Sequence, residues 1–278
     1  MALSREGKER SFRENLVLAH TLPGVAGMVN AIGYVELGFY TAHMTGRVGG
    51  LAINSVKGHL ETAFELGALF LGFFGGAILA SVLIELARRK RWPRFALPLL
   101  IEALLLAVIL LFEVMEPTAL ADAPWSHRMS FGVALAMSMG LQNALIARLS
   151  GAVIRTTHLT GVTTDLGSEI VRVILLYRER AKDAQSAEAQ QTIQDSQLYR
   201  VRLYVTILVT FCGGAFIGAF AATHMGAFAM IAPIVVVVGL VIYDRVLAVS
   251  EEDVEEHFNP VVEAKHQERM SRRPEPKA

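Results

Sequence analysis

Two short polar segments carry the residue types that could do chemistry. Thr41-Ala42-His43-Met44-Thr45-Gly46 and Thr156-Thr157-His158-Leu159-Thr160-Gly161 both read Thr-x-His-x-Thr-Gly, 115 residues apart. An imidazole titrates near neutrality and can relay a proton, ligate a metal, or hydrogen-bond a carbonyl at a helix end. A metal would need further ligands, and no cysteine or carboxylate cluster at ligand spacing accompanies His43 and His158. No metal and no cofactor is expected. Thr45 and Thr160 precede helix-compatible stretches, so their hydroxyls are expected to act as N-caps. If those helices dip into a bilayer, their first amides, with Gly46 and Gly161, would favour an anion or a carboxylate. If they lie flat in the interface, the motifs are two helix starts. Val162, Leu166, Ile170 and Val173 at helical spacing suit that second arrangement.

The remaining polar candidates sit in apolar runs. Asn30 and Asn143 occupy matching positions, with Gln142 beside the second and Thr157 and Asp165 around its motif. Polar groups inside a membrane are costly and therefore candidate functional groups. Their alternative role is interhelical hydrogen bonding, worth roughly 1 kcal/mol each. Glu102, among Leu, Ala and Ile, is either paired with an arginine or a protonatable carrier, and it joins the histidines as a proton-coupling candidate. Glu36 lies near the end of the first run, and Asp244 beside Arg245 reads as an interfacial ion pair. Pro23, with Gly24 and Gly27, is expected to bend or break the first helix.

The elements that must position these groups follow from composition. Of 278 residues 53% are hydrophobic and 19% charged, with a mean hydropathy of +0.43, which moves the prior towards a membrane protein. A net charge of zero argues against a nucleic-acid partner. Cys212 is alone and reads as a small packing residue. Six stretches are long enough for a hydrocarbon core of roughly 20 residues per helix: about 16–38, 64–87, 96–115, 128–150, 203–222 and 227–248. The basic N-terminus resembles a signal peptide, but the run after it is too long and lacks a cleavage site, so it is read as an uncleaved span. With both termini cytoplasmic, 23 of the 26 Lys and Arg fall on the cytoplasmic side, leaving Arg47, Lys57 and Arg128 outside.

The chain also repeats. Gly27–Ala31 (GMVNA) parallels Gly140–Ala144 (GLQNA), and Phe73–Ser81 (FFGGAILAS) parallels Phe211–Ala219 (FCGGAFIGA). Each half reads span, motif, Gly-Gly-Ala span, further span. Three spans per half is odd, so the second copy enters from the opposite side, as in secondary transporters. The expected fold is an all-α polytopic membrane protein of six transmembrane helices in two inverted three-helix repeats. Short re-entrant or interfacial helices follow each motif. Repeat one covers about 14–116 and repeat two about 127–249, with a cytoplasmic loop at about 178–198 and a tail at 251–278.

The stretch AGMVNAIGYVELGFYTAHMTG, with GLQNALIARLSGAVIRTTHLTGVTTDLG, resembles the DUF1275 (YoaK-like) family of bacterial inner-membrane proteins. The similarity covers about residues 16 to 248. It implies a multispanning protein of the bacterial cytoplasmic membrane and leaves the activity open. The family commonly has Asn where Arg47 follows Gly46, and Asp where Asn30 stands. A proton- or cation-carrying acid at that position is thus absent here, while Arg47 tilts the expectation towards an anionic solute or a surface contact.

No nucleotide-binding loop, nucleophile elbow or zinc-protease motif is present, so an enzyme is not expected. The reading is a secondary transporter or permease for a small solute. Asn30, His43, Thr45, Gly46, Gln142, Asn143, Thr157, His158, Thr160, Gly161 and Asp165 form its site. The alternative is a non-transporting component that binds lipid or a partner protein through the Arg178–Gln197 loop and the tail. Small apolar surfaces on spans two and five are compatible with a homodimer.

Overall fold

The computed structural model describes residues 12–90, 95–115, 124–150, 156–180 and 187–243. The described elements are all helical: α1 (Phe12–Leu37), α2 (Met44–Val56), α3 (Leu60–Lys90), α4 (Ala96–Met115), α5 (Trp125–Leu149), α6 (Leu159–Arg180) and α7 (Ala187–Met225). A 3-10 turn, Gly226–Met230, then leads into α8 at 231–243. The expected Asp244–Arg245 pair and the tail at 251–278 lie outside the described residues, as do residues 181–186 of the polar loop.

Five stretches are long and apolar enough to cross a bilayer: Leu16–Leu37, Leu60–Arg89, Ala96–Met115, Trp125–Leu149 and Gln197–Tyr243. The first four lie within a few residues of expected spans one to four. The fifth contains the expected span at 203–222 and the described part, 227–243, of the expected span at 227–248, in one run of 47 residues. Straight, such a helix would measure about 70 Å, more than twice a hydrocarbon core of ~30 Å. The 3-10 turn interrupts it, and Gly226 there has φ +57, a left-handed conformation open to glycine at little cost.

The outer surface suits lipid. α3 exposes Phe64, Leu71, Phe74 and Ile78, α4 exposes Leu104 and Leu111, and α7 exposes Val209, Phe216 and Phe220. An apolar belt of this extent would drive association in water. Cys212 is exposed on the same outer side and is not the buried packing residue expected.

The most extensive contacts are α1 with α7 and α3 with α5. Both crossings bring backbone against backbone. A Cβ on Gly27 would fall 2.2 Å from the Phe211 carbonyl oxygen, and one on Gly140 1.9 Å from that of Phe73. Small residues permit this approach, which replaces the hydrophobic driving force that lipid does not supply. Gly27 parallels Gly140 and Phe211 parallels Phe73, so one contact is made twice. α2 packs on α3, and α6 packs on α7, which is again one arrangement repeated. Much of the glycine-rich surface of spans two and five is therefore covered within the chain.

α1 runs unbroken through Pro23, so the expected break does not occur. Gly24 and Gly27 serve the crossing with α7 instead, the first lying 3.1 Å from the Thr210 methyl if given a Cβ. Leu18, Leu22, Leu99, Leu106, Leu145 and Leu149, all fully buried, tie α1, α4 and α5 into one core.

Candidate functional site

The chain leaves α1 at Leu37, turns at Gly38 (φ +83), and comes back alongside the helix it has just left. Asn30 fastens this return. Its Oδ1 accepts the Ala42 N–H at 3.0 Å and lies 3.5 Å from the Thr41 hydroxyl. The second half repeats the device after α5. Asn143 Oδ1 accepts the Thr156 hydroxyl at 2.7 Å, and its amide donates to Thr157 Oγ1. Both asparagines thus hold a segment of their own half, at the place where each motif begins.

The helices α2 and α6 then start from the motifs. Thr45 and Thr160 are not the N-caps expected. His43 occupies the cap of α2, with φ −87 and ψ 70 and no side-chain capping bond. Both threonines are already the second residue of their helix, where a side chain no longer faces the first free amides. The first α-helical bonds are Arg47 N–H to the His43 carbonyl (3.2 Å) and Val162 N–H to the His158 carbonyl (3.1 Å). The amides of Thr45 and Gly46, and of Thr160 and Gly161, precede these bonds.

The His-x-x-Gly spacing has a steric meaning. Each imidazole folds back over the first turn of its own helix. A Cβ on Gly46 would lie 2.7 Å from His43 Cε1, and one on Gly161 2.4 Å from His158 Nδ1. Gly46 and Gly161 make room for the rings and do not themselves line the cavity.

The two motifs open onto one cavity of about 810 Å³. Asn30, His43 and Thr45 line it from one half, and Asn143, Thr157, His158 and Thr160 from the other. Phe73 and Phe211 add apolar wall, Gly140, Ala144 and Ala147 of α5 leave the space, and Tyr40 borders it beside His43. Tyr40 stacks on Tyr34 with centroids 4.5 Å apart. Sequence reasoning did not select Tyr40, Phe73 or Phe211. The two phenylalanines were nevertheless visible as matched positions of the repeated Gly-Gly-Ala blocks. Among the described residues no carboxylate lines the cavity, and no three His, Cys, Asp or Glu gather into a metal-sized group.

Three expected site residues lie elsewhere. Asp165 is exposed on α6. Gln142 is fully buried and does not line the cavity, with its Nε2 3.4 Å from the Leu22 carbonyl. Glu102, a proton-coupling candidate, is fully buried on α4 with both oxygens lacking a hydrogen bond; among the described residues no arginine pairs with it.

Arg47 also departs from expectation. At 4% exposure it makes no surface contact, and it does not line the cavity. Its Nη2 donates to the Tyr40 carbonyl, and the guanidinium lies 5.3 Å from the Phe39 ring centroid. Burial lowers its pKa to about 10, so it stays cationic at neutral pH. Arg128 reaches the same connection from α5, donating to the Leu37 carbonyl at 2.9 Å. Two of the three cations expected outside therefore clamp the α1–α2 connection.

With this geometry in view, comparison with known proteins gives two matches. A family model described as "Protein of unknown function (DUF1275)" matches residues 18–243. A "UPF0700 transmembrane protein YoaK" of Bacillus subtilis (strain 168) is similar at 26% identity over 220 residues, covering 77% of this chain and 87% of that protein. No solved structure matches.

Proposed function

The chain belongs to the DUF1275 family, and from that premise we propose that it is a secondary transporter or permease for a small, anionic solute in the bacterial inner membrane. The observation that carries this reading is the single cavity to which both Thr-x-His-x-Thr-Gly segments contribute.

Depth supports it. Asn30 precedes the end of α1 by seven residues and Asn143 precedes the end of α5 by six. At 1.5 Å per residue, each motif is drawn back about 10 Å from the end of its span. That favours re-entrant segments over interfacial ones, with the cavity towards mid-membrane. Six spans result if Gln197–Tyr243 crosses twice, reversing at its 3-10 turn. Two inverted three-helix repeats then account for the paired Gly27/Gly140 crossings and for the paired Asn and His devices. The charge asymmetry favours cytoplasmic termini.

The chemistry favours an anion. The two helix starts bring backbone N–H groups to the cavity, the α2 start has no side-chain cap, the Asn30 amide adds a donor, and among the described lining residues no carboxylate opposes them. Alternating access would follow from rocking one half against the other around this site.

Uptake by full-length protein in proteoliposomes, screened over small inorganic and organic anions, tests the reading. Saturable uptake of at least one anion is expected, with loss in both His43→Ala and His158→Ala. Absence of uptake across the panel, or uptake indifferent to both substitutions, would remove it.

A further inference from the structure

Deep in the bundle, three acceptor atoms lack a donor: both carboxylate oxygens of Glu102 and Oε1 of Gln142. Each residue is 0% exposed. Glu102 stands on α4 and Gln142 on α5, which pack together. Phe112 of α4 meets Phe131 of α5 with ring centroids 5.9 Å apart. A short connection makes the two helices antiparallel, so a step back along α4 matches a step forward along α5. Ten residues back from Phe112, Glu102 therefore lies level with the turn of α5 that holds Ser138 and Gln142. Ser138, one turn before Gln142 on the same face, is fully buried too, and its hydroxyl donates to the Leu135 carbonyl at 2.8 Å.

An ionised carboxylate at this depth would be an uncompensated charge. Among the described residues, the neighbouring elements carry their cations near their ends and away from this depth. α3 has its charges near its two ends, Glu61 and Glu65 at one and Glu85, Arg88, Arg89 and Lys90 at the other. α5 has only His127, Arg128 and Arg148, again at its ends. α1 has Arg13, Glu14, His20 and Glu36, and Glu113 with Glu36 lies at the far end of α4. The 3-10 turn has no titratable residue, and α8 has only Tyr243. Among the described residues the other buried charges are Arg47 and Glu169, on α2 and α6.

A metal ion would want more oxygen ligands than these three, whereas one proton resolves the deficit. We propose that Glu102 is a proton-binding site in the wall behind the solute cavity, where the protonated carboxyl donates to Gln142 Oε1. The two sites share one turn of α5: Gly140, Asn143 and Ala144 face the cavity, and Gln142 faces the core. Movement of α5 around a solute would thus be felt at Glu102. That coupling role rests on the transport reading, whereas the proton site itself does not.

Infrared difference spectra of the full-length protein in lipid vesicles, titrated from acid to alkaline pH, test the site. The wild type should show a protonated-carboxyl C=O band that is lost at alkaline pH and shifts when glutamate is isotope-labelled. The band should be absent in Glu102→Gln, whose amide can still donate to Gln142, and should move towards the free-acid position in Gln142→Leu. The Gln142→Leu arm and the labelled wild type keep the test decisive if Glu102→Gln does not fold. A band that survives Glu102→Gln, fails to shift with the label, or vanishes on adding sodium at constant pH overturns the proposal. Loss of uptake activity alongside an intact band would count against transport alone.

Discussion

The two half-sites share a plan and differ in how they are fastened. Around His158, Asn143 uses both its oxygen and its amide on Thr156 and Thr157. Around His43, Ala42 stands where Thr157 stands, so Asn30 engages only its oxygen. The first half is fastened instead by a buried cation, since Arg47 occupies the position of Val162 and holds the Tyr40 carbonyl. Val162 is buried at 4% exposure with no polar task. The second half is thus closed by neutral side-chain pairs. The first keeps Nε and Nη1 of Arg47 without a hydrogen bond, and among the described residues the Asn30 amide at the cavity has no acceptor, its bonds being made through Oδ1. The half around His43 is therefore the one with spare capacity to answer a ligand.

The comparison can be broken most forcefully at the shared crossings. Gly140→Val would drive a side chain into the Phe73 carbonyl, and Gly27→Val into that of Phe211. Both should abolish a monodisperse peak in size-exclusion chromatography, because backbone stands on each side. Gly49→Val, with open space around it, should elute normally. A tolerated Gly27→Val beside a lethal Gly140→Val would show the halves to be packed unequally.

Next in size is the asparagine pair. Asn143→Leu removes two short hydrogen bonds and should cost about 2–3 kcal/mol, against about 1–2 for Asn30→Leu, which loses one at 3.0 Å and a long one at 3.5 Å. Thermal unfolding in detergent reads the order, and a reversal would contradict the bracing described. Ala42→Thr supplies the missing hydroxyl and should raise stability by about 0.5–1 kcal/mol if it engages the Asn30 amide. The same change should weaken solute uptake by taking a donor from the cavity. The smallest effect is expected for Arg47→Val, within about 1 kcal/mol in the same unfolding assay. The lost bond to Tyr40 is offset by removing a buried charge whose other donors lack partners.

Much of this architecture could be read from the residues. Hydropathy located α4 at Ala96–Met115 to the residue and the neighbouring spans within a few positions, because lipid imposes length and polarity directly on each helix. The matched Gly and Phe blocks marked the repeat, but which helices they join, α1 with α7 and α3 with α5, came only from the structure. Local side-chain destinations were less legible. A threonine before a helix-forming run looks like a cap, yet the cap of α2 is His43, since the ring packs on the helix and the chain enters helical geometry two residues sooner. Asn143 and Gln142 are neighbours in sequence, yet the roughly 100° between them on α5 turns one to the cavity and the other into the core. Arg47 looked like a surface charge because its acceptor is a backbone carbonyl seven residues back, which composition cannot reveal.

The central claim is that His43 and His158 serve one site. Its most direct test is a double-mutant cycle on solute uptake with His43→Ala, His158→Ala and the pair together, in the same vesicles. A shared site predicts non-additivity, with the double variant little worse than either single one. Losses that simply multiply, or a loss confined to one histidine, would contradict it.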